Sequence, residues 1–473
     1  MVTTYVDIKT NLDIIIKVDK LEIVREINQH THLKMEALLR KGNTSDYIPK
    51  LNSNRPIEIM YDEEILFIGV LTNAKIRSIN SEHIITLEAL SASFITDNAL
   101  ISRSFQDVNM TYTAMIKEII KTYPNGDIID EASENVAIDK FIMQYLETDW
   151  EFFKRMASYF NLGLIPSVKH DTPKLYFGIP SGKDRGKLEE FNHTIQKDID
   201  YYMESSQNTI PEFSELDSVS FIVETEKDFD IGDRIIYKDI NLYIKNKRVN
   251  FERGFLKFTY ALTTKNGLKQ PKIYNEKIVG LSLKGKVLEP IQDRVKVHLE
   301  IDQEQCKETA WEFIYSTMYT AEGNSGWYVM PEVDDTVLIY FPNREEGKGY
   351  GLNSIRVQGF EEDKINDPDI KYFRTIDGKE LKFAPDEILI TCINGKDPKT
   401  EEPRVTYIRL NDSGGIEITS TEPINLISDQ NIKIEAKEEV KILAKNEIRL
   451  KCKTSQILID GGIDLASKEI KVN

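Results

Sequence analysis

Cysteine, histidine and tryptophan are scarce in this 473-residue chain. Its three cysteines, Cys306, Cys392 and Cys452, are too few and too widely spaced for a disulfide framework or a zinc ribbon, so free buried thiols are expected. His30 and His32 could share a strand face, but no Cys or Glu stands near them at ligand spacing, so no metal or other cofactor is expected. Basic residues are outnumbered, 61 against 78 acidic ones, for a net charge of −17. No sustained basic stripe exists to hold phosphates, which excludes a nucleic-acid binder. Runs of eighteen apolar residues are absent too, and Met1-Val2-Thr3-Thr4-Tyr5-Val6-Asp7 is not a basic region leading into an apolar core. Neither a membrane helix nor a signal peptide is expected. Assembly in the cytoplasm follows, with any exit by a route other than ordinary secretion.

What is abundant is short-period order at the C-terminal end, residues 415–473. Ile416 and Ile418 are followed at eight-residue steps by Ile424 and Leu426, Ile432 and Ile434, Val440 and Ile442, and Ile448 and Leu450. One polar residue separates the members of each pair (Glu417, Asn425, Lys433, Lys441, Arg449), the period-two alternation of a strand with one buried face. Ser420, Ser428, Ala436, Ala444 and Cys452 follow on the same parity and are all small. Turn-like triplets such as Thr421-Glu422-Pro423 and Asp429-Gln430-Asn431 close the octads, so the repeat is a β-solenoid unit. At roughly 3.3 Å per residue an octad spans only about 26 Å, one side of a coil. A single chain would make about two coils, fewer than the roughly three such arrays need. Three chains each supplying one side make every octad a full coil, and the small residues let their backbones approach at the corners. The ten aliphatics would then form a shared trimer core, each contributing on the order of 2 kcal/mol before chain entropy is subtracted.

Length allows about three domains. Residues 1 to about 100 are β-rich and barrel-like, with a hairpin turning at Asp62-Glu63-Glu64 and a strand from Leu66 pairing with His83–Leu90. Tyr112, Met115, Ile116, Ile119, Ile120 and Tyr123 line one face of a helix stopped by Pro124. Thr148-Asp149-Trp150-Glu151 is a capping box opening a second helix, with Trp150, Phe153, Met156, Ala157 and Phe160 inward. Residues 165–263 return to strands, completing a region 1–264. A polar linker, 265–277, leads to five short strands within 278–362, a small closed barrel such as an OB-fold. Hairpins fill 363–414, and the octads occupy 415–473.

Gly326–Leu338 resembles the OB-fold signature of VgrG spike proteins and of the tail-spike and hub proteins of contractile phages. Ser102–Gln106, the Thr111–Tyr123 helix and Gln144–Phe153 look like the hub of that family, and Arg409–Ile418 looks like the start of its needle. The resemblance covers nearly the whole chain in the family's domain order. It implies a mainly β protein: a hub of barrel-like β domains with two helices, an OB-fold collar and a C-terminal triple-stranded intertwined β-helix. It also implies a homotrimer at the tip of a contractile injection machine, phage tail or tailocin, with the hub meeting tail tube and baseplate proteins and the needle seating a PAAR-type tip protein. Three positions depart from the family. Asp334 stands where glycine is frequent, and Asp tolerates the left-handed turn better than most residues. The octads lack the family's valine-glycine pair. The last histidine is His298, so a terminal His-x-His iron site is missing and a separate tip protein is favoured. The spacing tightens to six or seven residues at Ile457 and Ile459, Ile463 and Leu465, and Ile470 and Val472. Ile463, Leu465, Ile470 and Val472 are therefore the expected tip platform.

No catalytic constellation stands out. Acidic pairs such as Glu345-Glu346 and Glu361-Glu362 are uninformative among 78 acids, and Trp150, Trp311 and Trp327 are expected as core or barrel residues, not carbohydrate platforms. Gly414-Gly415 and Gly461-Gly462 are not followed by helices and are expected turns, not phosphate loops. The alternating Lys and Glu of the octads read as a solvated outer face. A polysaccharide-binding trimeric fibre would carry outward aromatics, and none occurs from Gly415 onward. A solenoid or cell-wall-degrading enzyme would show an acid or His cluster or an inserted domain. The expectation is a non-enzymatic structural protein, with any effector cargo a separate chain.

Overall fold

The structure is a computed structural model and describes residues 8–42, 47–52, 55–80, 82–207, 210–319, 325–356, 367–396, 401 and 403–459. Two compact units divide the chain, Met1–Gln358 and Gly359–Asn473. Among the described residues no helix is long and apolar enough to cross a membrane.

The first unit is organised by a twelve-stranded sheet. Its order is Ile8–Thr10, Ile57–Tyr61, Glu64–Ile79, Glu82–Ser91, His32–Leu39, Ile15–Arg25, Ile240–Glu252, Phe255–Thr263, Val219–Thr225 and His193–Lys197. Arg234–Tyr237 branches from Ile240–Glu252 and carries Asp184–Lys187 beyond it. Alternation builds the buried face: Leu33, Met35, Ala37 and Leu39 point inward from one strand, and Leu242, Ile244, Val249 and Phe251 from another. The hairpin at Asp62-Glu63 has both residues at positive φ, 46° and 64°, the left-handed pair a two-residue type I′ turn requires. The two β regions expected separately are one sheet, because Leu21 pairs with Phe251 and Ile23 with Val249.

A second core forms where the chain leaves that sheet. Helix α1, Tyr112–Ile120, is capped by Thr111, whose side chain accepts from the Ala114 NH, and buries Met115, Ile116, Ile119 and Ile120. Helix α2, Asp149–Ser158, has the full capping box: Glu151 N donates to Thr148 Oγ1 and Thr148 N to Glu151 Oε2, both at 3.1 Å. Trp150, Phe153, Met156 and Ala157 are buried with Phe152, while Phe160 is half-buried at the edge. Helix α3, Ile199–Ser206, lies within the stretch read as strands. Asp198 caps it through the Tyr201 NH at 2.9 Å, and Ser205 is its one buried residue, so no apolar periodicity marks it.

Leu281–Ile291, Arg294–Leu299, Glu312–Tyr315, Thr336–Phe341 and Tyr350–Ile355 close a barrel in which the third strand pairs with the fifth and the fifth with the fourth. Val287, Val295, Val297, Phe313, Val337, Ile339 and Phe341 fill it. Phe141 and Met143, from the strand region before α2, complete this same core. Residues 265–277, expected as a linker, are instead bonded into the unit. Gln270 N donates to Asn161 O, Ile273 N to Ser158 Oγ, and Asn275 Nδ2 to Tyr145 O, all within 2.9 Å. Polar composition there serves these bonds and does not signal a loose tether.

One local expectation is corrected. Cys306 and Cys452 are exposed, and Cys392 is half-buried, so buried thiols do not describe them. Trp327 is 58% exposed on the barrel, unlike Trp150 at 3%; its neighbours Tyr328, Val329 and Val333 are exposed as well. Asp334 adopts φ 72°, the left-handed turn, with its NH donating to Val287 O at 2.9 Å.

His30 precedes its strand and does not share a face with His32. Its Nδ1 lies 2.8 Å from Ser93 Oγ, its Nε2 3.2 Å from Asp97 Oδ2, and its ring packs 4.2 Å from that of Trp150. Burial pushes the imidazole below its ordinary 6.5, with Asp97 opposing. A base depressed in the folded state binds fewer protons than in the unfolded chain. Its contribution is therefore intact above the unfolded value and is lost as pH falls below about 6.5. Melting temperature should drop between pH 7 and pH 5.5 by less in His30→Gln than in the parent; equal slopes would remove His30 as the cause.

In the second unit, Lys371–Arg374, Lys379–Phe383, Glu387–Lys396, Pro403–Asn411 and Gly415–Thr419 form an antiparallel meander. Gly415, at φ 75°, makes the last turn, with Asn411 Oδ1 accepting from the NH groups of Ser413 and Gly414. Bends then recur at 421–422, 429–430, 437–438 and 445–446, every eight residues. Among the described residues the stretches between them pair with no strand. The Oγ atoms of Ser420 and Ser428 accept from the NH groups two residues on, Glu422 and Gln430, so these small residues also shape the bends. The fifth octad departs from the repeat: Ile448–Cys452 folds back on Ser455–Ile459 as a hairpin, placing Ile448 opposite Ile459 and Leu450 opposite Ile457.

Candidate assembly surface

The meander has one apolar face. Register places Phe373 opposite Leu381, Leu381 opposite Ile390, Phe383 opposite Ile388, and then Ile388–Leu410–Ile416 and Ile390–Ile408–Ile418 in cross-strand rows. The other face carries Lys382, Glu387, Arg409 and Glu417, joined by the pairs Lys382–Glu387 at 2.9 Å and Arg409–Glu417 at 3.2 Å. A sheet with one charged and one apolar side normally buries the latter. Here it is uncovered: Phe373, Phe383, Ile390, Ile408 and Leu410 are all exposed in the single chain.

The octads extend that surface. Ile416 and Leu426 are 74% and 72% exposed. Ile418, Ile424, Ile432, Ile434, Val440, Ile442 and Leu450 are exposed as well, and Ile448 is half-buried. Among the described residues of this unit none is buried. On the opposite parity Lys433 pairs with Glu435, Lys441 with Glu439 at 2.8 Å, and Arg449 with Glu447 at 3.0 Å. These i,i+2 ion pairs neutralise the polar side locally. Ile463, Leu465, Ile470 and Val472 lie outside the described residues.

The first unit is braced where the barrel meets α2. The Arg155 guanidinium, 1% exposed, donates from Nε to Glu147 Oε1 at 2.8 Å, from Nη2 to Glu147 Oε2 at 2.7 Å, and from Nη1 to Glu346 Oε1 at 2.7 Å. Nη2 also reaches Met143 O at 2.7 Å, and Met143 N donates to Glu346 Oε1. Burial drives the Glu346 carboxyl above the usual carboxylate range, with Arg155 drawing it back. A second tie joins Ser104, by NH and hydroxyl, to the Asp302 carboxylate at 2.6 and 2.5 Å. These bonds tie the barrel to α2 and to the strand region before it within the first unit. Sequence reading missed Glu346, which looked like a member of a surface acidic pair; only the fold brings Arg155 to it.

No protein-family profile and no curated relative matches the chain. Solved structures do. An Escherichia coli component of the type VI secretion system, described as structurally similar to the bacteriophage T4 tail proteins gp27 and gp5, superposes with a TM-score of 0.55 at 13% identity, over 74% of this chain and 99% of its own. The Francisella PdpA–VgrG complex gives 0.57 at 13% identity in its half-lidded form, covering 88% of each chain. Its lidded form gives 0.55 at 11% identity, over 88% of this chain and 80% of that one. The chain therefore has the mainly β, multi-sheet fold of type VI spike-related and phage-tail proteins, as the Gly326–Leu338 resemblance implied.

Proposed function

We propose that this chain is the central spike and hub of a contractile injection particle, acting as a homotrimer that pierces an envelope when a sheath contracts. The observation that carries this reading is the C-terminal unit: bends every eight residues, aliphatics at fixed positions, and no buried residue among those described. Backbone groups and apolar side chains left unpaired in one chain are met by two more copies. In this reading 1–264 is the hub, 278–362 the collar, 363–414 the neck and 415–473 the needle. The barrel's strand order, with third and fifth strands parallel, supports an OB-fold collar.

The mechanism is mechanical and needs no catalytic group. Interwound strands leave few free edges, and no chain can unfold without the others, so axial load is shared. Tail tube and baseplate proteins meet the hub, and a PAAR-type tip protein seats on Ile463, Leu465, Ile470 and Val472. The particle assembles inside the cell and is delivered outward or into a target on contraction, with effector cargo as separate chains.

Native mass spectrometry at dilute concentration tests the central claim. A species of three times the 54.5 kDa chain that survives dilution is expected. A monomer would return the octads to a single-chain solenoid. Deleting Gly461–Asn473 should keep the trimer and abolish capture of a PAAR-type tip protein; retained capture would move the platform elsewhere.

A further inference from the structure

A cavity of about 320 Å³ opens beside the hub–barrel joint, and its chemistry is unusual for so acidic a chain. Lys140, Lys272, Arg344 and Lys348 line it, against Tyr159, Tyr274 and Trp311. The ammonium groups of Lys140 and Lys272 both lie over the ring of Tyr159, 4.4 and 4.7 Å from its centroid. Lys272 also lies 5.3 Å from the Tyr274 centroid, and the Arg344 guanidinium 4.1 Å from it. Ring faces orient these cations but do not neutralise them.

Acid partners are accounted for. Glu346, on the cavity floor, is committed to Arg155 at 2.7 Å, Arg344 is met by Glu276 at 3.2 Å, and Glu345 is exposed on the rim. The ammonium groups of Lys140, Lys272 and Lys348 make no hydrogen bond or ion pair among the described residues. Lys140 and Lys272 are half-buried, so their repulsion is poorly screened. The Lys140 ammonium is pushed below its ordinary range, first by burial and then by the charge of Lys272, with Glu346 and Asp139 opposing. Glu346 and Asp139 offset part of this repulsion without bonding either ammonium, and an anion seated between the two would offset more of it.

We propose that this cavity is a binding site for a polyvalent phosphoryl anion, either a free polyphosphate or the phosphate chain of a nucleotide. Three unpaired ammonium groups exceed what one carboxylate balances. Lysines act as point charges that converge on phosphoryl oxygens from several directions, whereas a planar carboxylate is best met by an arginine fork. The aromatic walls, Trp311 among them, give a nucleotide's base a surface to stack on.

Calorimetric titration of the intact protein with tripolyphosphate, at low salt and again at physiological salt, tests this. Saturable one-site binding per chain is expected, weakening as salt rises. Lys140→Met and Lys272→Met, made separately, should each weaken it by about tenfold, the loss of one charge-assisted contact. Both variants should melt at or above the parent temperature without ligand, because each relieves the repulsion; lysines with a purely structural role would lower it. Adenosine triphosphate run in parallel separates the sources: equal affinity assigns the phosphate chain alone, and tighter binding assigns a nucleotide. Absence of saturable binding, binding unchanged in both variants, or citrate binding as tightly as tripolyphosphate would each overturn the proposal.

Discussion

Replacing Ile432 and Ile434 together by aspartate is expected to turn a stable trimer into monomers, read directly by native mass. Six aliphatic positions are lost across three chains, roughly 12 kcal/mol of burial at about 2 kcal/mol each, and six carboxylates must enter an apolar interior. The single-chain alternative predicts almost nothing. In the isolated chain Ile432 and Ile434 are 55% and 70% exposed, where substitutions shift stability by no more than about 0.5 kcal/mol. Lys433→Asp between them is the control. It lies on the outward parity and should leave the trimer intact. A double aspartate variant that stays trimeric would move the interface off the octads.

Arg155→Met is expected to lower the stability of the first unit by about 3–5 kcal/mol, because Glu147 and Glu346 stay buried with no cation. Combining it with Glu147→Gln and Glu346→Gln should recover much of that loss, since the penalty lies in unpaired charge and not in missing volume. Urea unfolding of the single and triple variants measures both steps. A loss under about 1 kcal/mol for Arg155→Met would mean the network is hydrated and contributes as surface pairs do.

Local signals were legible wherever they were complete within a few residues. The Thr148–Glu151 capping box, the apolar stripe from Tyr112 to Ile120, the Asp62-Glu63 turn and the left-handed Asp334 all stand in the structure as the residues dictate. The eight-residue period was legible as well, and its bends recur in step with it. Long-range relations were not. Nothing in Leu21 or Phe251 announces that they pair, and Glu346 beside Glu345 carries no mark of its buried partner. Helix α3 escaped because an N-cap without an apolar stripe is a weak signal. Residues 265–277 misled because polar composition looks the same in a tether and in a segment whose Asn and Gln bond inward. The fifth octad matched its predecessors by pattern, yet its strand finds Ser455–Ile459 close at hand.

The pairing of Ile15–Arg25 with Ile240–Glu252 also fixes an order of events during synthesis. Leu21 must wait for Phe251, 230 residues later, before the largest sheet can close, and so non-local a contact forms slowly. More than half the chain leaves the ribosome carrying unpaired strand edges, the state most open to wrong partners. The octads follow in the chain, after that sheet has everything it needs. In the proposed trimer, copies therefore meet through the octads with that sheet already able to close, which keeps its open edges away from a neighbour.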